Sequence, residues 1–184
     1  MPRWFISRPI DSCNESELVA YRALNKLDDS WAVRWTYDYL SKDTPREGDF
    51  LILGPDGRLL VLEVKKRERV FARSGRSDGT DGNVSRDEDQ VQSQKDGVLQ
   101  ALNAALDVKS DGFELPFIVP AIFSETGNSL DMRSREQPFS VIRGEAQLSR
   151  IAGHWNDLTA GGKNARDPAA VRRLFFKVYG DASP

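Results

Sequence analysis

Apolar residues recur at helical intervals through Leu18, Tyr21, Leu24 and Leu27, and Ser12 with Glu15 stands at capping-box spacing ahead of them. This pattern predicts a first helix over 12–27. Glu17 falls one turn before Tyr21, at the edge of the apolar stripe, where an ordinary solvated helix glutamate would account for it equally well. The period then changes. Residues 31–37, WAVRWTY, are aromatic and β-branched with partial alternation, and residues 50–64, FLILGPDGRLLVLEV, form two apolar runs split by Gly54-Pro55-Asp56-Gly57. Three strands are expected.

Pro55 and Asp56 suit the central positions of a type I turn, and Gly57 suits the left-handed residue that follows. A three-residue loop of this kind makes Gly54 face Arg58, and the same register carried along the hairpin puts Asp49 opposite Glu63. Phe50, Ile52, Leu60, Leu62 and Val64 then share one side, with Leu51, Leu53, Leu59 and Val61 on the other. Strands apolar on both faces belong in the middle of a covered sheet. Asp49, Glu63 and Lys65 lie on one side at the end farthest from the turn, and three ionisable groups at the margin of an apolar sheet need a reason.

Residues 70–88, with Gly75, Gly79 and Gly82 and mixed charge, read as a loop. A second helix follows over 90–106, with Val91, Gln94, Val98 and Leu102 on one face and Gly97 weakening it. A buried strand is expected over 117–123 despite Pro120, then a short strand and helix in FSVIRGEAQLSRIAGHW. Asp167-Pro168 makes a good N-cap and first turn for a last helix over about 167–178. This order implies an α/β fold, a mixed central sheet flanked by helices.

A chain of 184 residues supports one hydrophobic core, so a single domain over 1–184 is expected, its core about 12–155. No apolar run approaches the roughly 20 residues of a membrane span, and the first residues lack the apolar stretch of a secretory signal, so the expected compartment is the cytoplasm. A single cysteine, Cys13, excludes an internal disulfide and multi-cysteine zinc sites; a single histidine, His154, excludes paired-histidine mechanisms. His154, beside Trp155, reads as structural. With a net charge of -2, any contact with nucleic acid must be local rather than a general basic coat.

Phosphodiester hydrolysis requires charge neutralisation on the phosphate and an activated water, and Mg²⁺ or Mn²⁺ supplies both. Asp49 and Glu63, with Cβ atoms about 4.5–5.5 Å apart if directly opposed, could chelate one such ion, with the Val64 carbonyl as a further ligand. Lys65 projects from the same face, where its ammonium could orient water and offset developing charge. Acid-x-base spacing also occurs at Asp56–Arg58, Asp107–Lys109 and Asp131–Arg133, so the triplet alone says little. Its position at the end of a buried strand, across from Asp49, is what distinguishes it. The plainer alternative is an ion-paired cluster at a sheet edge. Beyond it, Lys66, Arg67, Arg69 and Arg73 with Phe71 among them could track a phosphate backbone, or could be an ordinary solvated strand end and loop.

The stretch EGDFLILGPDGRLLVLEVKK resembles the core of the PD-(D/E)XK nuclease superfamily, and within it the nuclease-related domain called NERD. The likeness runs from about Glu17 to Leu148. It implies a restriction-endonuclease-like core in which Asp49 and Glu63 are metal ligands, Lys65 is the catalytic lysine, Glu17 is an auxiliary acid and Gln94 is the helix glutamine, with Gln90 as its rival. Two departures stand out: Gly48-Asp49 replaces the usual proline-aspartate, and the asparagine-proline that often precedes the helix glutamine is missing. The function so implied is a divalent-metal-dependent deoxyribonuclease, RNA remaining open as a substrate, with a helicase or other DNA-processing protein as a partner. Its rivals are a catalytically inactive nucleic-acid-binding or adaptor module of the same fold, and a protein-interaction domain whose acids bind a structural ion.

Overall fold

The computed structural model describes residues 1–6, 13–65, 81–106, 113–134 and 138–180, the side chains of 81–86 excepted. One mixed sheet of 7 strands runs through it in the order β1-β2-β3-β4-β5-β7-β6: β1 is Arg3–Ile6, β2 Ala32–Ser41, β3 Thr44–Leu53, β4 Leu59–Lys65, β5 Ile118–Ser124, β6 Ser129–Asp131 and β7 Ser140–Arg143. β2, β3 and β4 form an antiparallel meander, β5 and β7 run parallel to β4, and β1 and β6 close the edges. The helices are α1 (Glu15–Leu24), α2 (Asp81–Ala104), α3 (Glu145–Leu148), α4 (Trp155–Leu158) and α5 (Pro168–Tyr179). None of the described helices is long and apolar enough to cross a membrane.

The two apolar faces of the central strands are covered separately. Phe50, Ile52, Leu60 and Leu62 pack with Ala20, Ala23 and Leu24 of α1, Leu148 of α3 and Trp155 of α4. Leu51, Leu53, Leu59 and Val61 pack with Val98 and Leu102 of α2 and Val171, Leu174 and Phe175 of α5. The result is an α/β fold with helices on both sides of the sheet. α2 approaches β2 so closely that a β-carbon at Gly97 would lie 2.9 Å from the Leu40 carbonyl and from Tyr39 Cβ. The glycine that weakens the helix is what permits the contact.

The hairpin has the expected register: Gly54 N–H donates to the Arg58 carbonyl at 3.0 Å, Gly57 has φ +81°, and pairs run from Leu53 with Leu59 to Phe50 with Leu62. Pro120 is accommodated in an interior strand by its place in the ladders. Leu59 N–H donates to the Phe117 carbonyl, so odd-numbered backbone groups of β5 face β4, and Pro120 nitrogen faces β7, whose pairing begins only at Ala121.

Four expectations change. Ser12 lies outside the described residues, and α1 is capped by Asn14, whose Oδ1 accepts from Glu17 N–H at 3.0 Å while its Nδ2 donates to Glu17 Oε1 at 2.5 Å. The capping pair is thus Asn14 with Glu17, because the chain enters the helix two residues later than the apolar spacing suggests. Residues 81–88 are the first turns of α2 rather than loop. The stretch after β7 is two four-residue helices separated by turns, with His154 as the N-cap of the second. Finally, β2 and β3 extend past the apolar run to a turn in which Lys42 (φ +50°) and Asp43 (φ +63°) are both left-handed, the geometry of a type I′ hairpin.

Candidate active site

The backbone ladder of β3 with β4 ends at Phe50–Leu62, and at the next position the Asp49 side chain takes over: its Oδ2 accepts the Val64 N–H at 2.7 Å. A residue's N–H and C=O point to the same side of a strand, so the Val64 carbonyl also faces β3, beyond the last backbone pair. Asp49 and Val64 therefore meet in the fork where the two strands part.

Glu63 turns toward α2 and is 6% exposed. Its Oε1 accepts from Lys65 Nζ at 3.0 Å and Gln90 Nε2 at 2.5 Å, and its Oε2 accepts from Gln94 Nε2 at 2.5 Å. Lys65 Nζ also donates to Gln90 Oε1 at 2.7 Å and pairs with Asp87 at 3.3 Å. Residues 87, 90 and 94 lie on one face of α2 by helical spacing, so one face delivers all three. Behind Gln94, the buried Tyr37 hydroxyl donates to Gln94 Oε1 at 3.3 Å, which turns the amide NH₂ toward Glu63.

Burial, then the charge of Glu63, raises the Asp49 carboxyl to about 8, with Glu17 adding to the rise and the Val64 N–H opposing it. For Lys65, burial alone would depress the ammonium, but Glu63 and Asp87 outweigh it and hold the group above its ordinary value. Burial, followed by the field of Glu63, also pushes the Tyr37 phenol well up. Since the charge of Glu63 acts on Asp49, positive charge placed between the two acids is stabilising.

Asp49, Glu63, Lys65, Gln94 and the Val64 backbone are thus grouped at one end of the β3–β4 hairpin, and Gln90 joins Gln94 on the same carboxylate. Glu17 reaches the group from α1 through its effect on Asp49, while its own carboxylate is tied to the helix cap. Lys66, Arg67, Arg69 and Arg73 lie outside the described residues. The sequence pattern does not mark Asp87 or Tyr37 as site residues: Asp87 falls in the expected loop, and Tyr37 in a strand whose partial alternation leaves its facing open. A signal for Asp87 existed, its spacing of three from Gln90.

Among the described residues no group of three or more His, Cys, Asp or Glu side chains is placed to hold a metal ion. The fork itself holds the Asp49 carboxylate and the Val64 carbonyl, with the Glu63 carboxylate turned toward α2 beside it; carboxylate and carbonyl oxygens are hard donors of the type Mg²⁺ or Mn²⁺ takes when water and substrate complete the shell. The other acid-x-base spacings serve different ends. At the hairpin turn the buried Arg58 pairs with the half-buried Asp56, 2.5 Å apart, and Asp131 pairs with Arg143 rather than Arg133. Asp107 and Lys109 are outside the described residues. No family model matches this chain, nor does any curated protein or solved structure.

Proposed function

We propose that this chain is a divalent-metal-dependent nuclease acting on DNA in the cytoplasm, with a restriction-endonuclease-like core of the NERD kind. The observation that carries the reading is the desolvated Asp49 carboxyl, held near 8 by burial and Glu63, with the Lys65 ammonium 3.0 Å from Glu63. Further support comes from the order of α1, the β2–β3–β4 meander, α2 and the parallel β5, with the acids and lysine at the end of the meander.

Asp49, Glu63 and the Val64 carbonyl would hold Mg²⁺ or Mn²⁺, which when bound neutralises phosphate charge and acidifies a water. Lys65 stabilises negative charge at the phosphate oxygens and orients the attacking water. Gln94, fixed by Tyr37, keeps Glu63 oriented, and Gln90 fixes both Glu63 and Lys65. Glu17 adds negative potential at Asp49 and so favours a cation there.

The test is incubation of the protein with closed plasmid and single-stranded circles in Mg²⁺ or Mn²⁺. Nicking that EDTA stops and Lys65→Ala abolishes supports the reading; circles that stay intact, or cleavage that survives excess EDTA, count against it.

A second reading has its own observation. Both Glu63 oxygens already accept from side chains of this chain, three donors in all, an internally satisfied cluster that needs no cation. That favours a catalytically inactive nucleic-acid-binding or adaptor module, which would bind DNA without nicking it in any divalent metal.

A further inference from the structure

Between the outer part of the β2–β3 hairpin and the face of α2 lies a cavity of about 590 Å³. Gln90 lines it and is also bonded to Glu63 and Lys65, so the cavity and the acid cluster adjoin across this one side chain. Ser41 and Ser93, hydrogen-bonded to each other at 2.7 Å, join the two walls. The hairpin wall carries Lys42 and Arg46, both exposed, whose side chains make no ion pair or hydrogen bond among the described residues. The helix wall carries Asp89 and Asp96, the latter engaged by Gln92 Nε2 at 2.9 Å.

We propose that this groove seats an unpaired strand of nucleic acid on its way to the acid cluster, an inference that rests on the nuclease reading. The volume, within the roughly 300–1,000 Å³ of small-ligand sites, has room for about one or two nucleotides and not for a duplex. Two cations on one wall hold backbone phosphates, and the acids opposite keep the phosphates on that wall while accepting from base amino groups. The amides and hydroxyls between are sequence-tolerant partners for sugar and base. Because the cations are on a hairpin tip rather than spread over the surface, a chain with a net charge of -2 can still bind a strand locally.

Fluorescence anisotropy of a short labelled deoxyoligonucleotide in EDTA, single-stranded and as the duplex of the same sequence, reads binding without cleavage. Wild-type protein is expected to prefer the single strand. Lys42→Glu with Arg46→Glu should weaken that binding at least about tenfold and flatten the salt dependence by about 1.4 in slope, the value for two phosphate contacts on a single strand. Circular dichroism confirms that the exposed substitutions leave the fold intact. Equal affinity of wild type and variant, tighter binding of the duplex, or no binding by wild type each overturns the groove assignment. The cleavage assay is read independently, with Lys65→Ala rather than the groove variant as its control, so failure of the groove assignment and failure of the nuclease reading are told apart.

Discussion

The ring of Tyr37 lies across Gly48, its partner in the β2–β3 ladder, so closely that a β-carbon at 48 would overlap the ring and sit 2.6 Å from the phenolic oxygen. Tyr37 faces α2 because Thr36, with φ +61°, reverses the alternation of β2: Val33 and Trp35 pack toward α1, Tyr37 and Tyr39 toward α2. A proline at 48 would meet the same ring, which accounts for glycine standing before Asp49. Gly48→Ala should cost about 1–3 kcal/mol by overpacking. In urea denaturation, Tyr37→Ala should relieve part of that cost, so the double variant is less destabilised than the sum; strict additivity would mean the ring is not what excludes the methyl.

Stability should depend on pH through Asp49. Its carboxyl titrates near 8 in the folded chain against 3.8 as its ordinary value, so between those values the folded state holds a proton that the unfolded state has lost. Stability from this group therefore falls as pH rises across that window. Thermal melts in EDTA from about pH 5 to 8 should show the fall, and Asp49→Asn, which keeps a neutral acceptor for the Val64 N–H, should flatten it. Mg²⁺ or Mn²⁺ should raise Tm more at the upper end of the range than at the lower, since the cation must displace the proton. An Asn variant with the wild-type slope would place the titration elsewhere.

The two glutamines on Glu63 differ in burial. Gln94 is fully buried between Tyr37 and Glu63, whereas Gln90 is half-buried at the edge of the groove. Gln94→Ala strands two buried polar groups and should cost about 2 kcal/mol or more; at Gln90→Ala water can replace the amide, and the cost should be under about 1 kcal/mol. Denaturant midpoints of the two variants check the order, and equal losses would contradict the inequality.

The opposite end of the hairpin should matter for stability alone. Arg58, 5% exposed, is held by Asp56, by Asn156 Oδ1 at 2.7 Å and by the Thr159 carbonyl, and Asp56 also accepts from Trp155 Nε1 at 2.9 Å. Asp56→Ala leaves that guanidinium without its carboxylate and should cost about 3–5 kcal/mol. The exposed pair of Arg173 with Asp167 should be worth less than about 1 kcal/mol, as Arg173→Ala would show. Urea unfolding of both variants measures the contrast.

Much of the site was legible because turn chemistry is local. Pro55, Asp56 and Gly57 dictate the hairpin register, and register alone carries Asp49 and Glu63 to the same end. Ser12–Glu15 and Asn14–Glu17 satisfy the same capping pattern two residues apart, and only backbone geometry separates them. The outer β2–β3 hairpin leaves no mark in the sequence, because residues 42–47 are exposed and mostly polar, with Pro45 among them, and have no apolar face to show a period. β1 and β6 are short edge strands, 4 and 3 residues long, defined by their neighbours rather than by any pattern of their own. In the first turns of α2 a single apolar residue, Val84, stands at helical spacing from Val91 among glycine, serine and charged residues, too little to extend the helix back to Asp87. The reversal at Thr36, which sets Tyr37 behind Gln94, is a backbone event that no side-chain pattern announces.

The central claim is that Asp49 and Glu63 share one divalent cation, and Mn²⁺ binding followed by electron paramagnetic resonance tests it most directly. Wild-type protein at about pH 8, the value to which Asp49 is raised, should bind one Mn²⁺ that Mg²⁺ displaces, and both Asp49→Asn and Glu63→Gln should lose it while remaining folded. Wild type that takes up no Mn²⁺, or variants that bind it as wild type does, would contradict the claim.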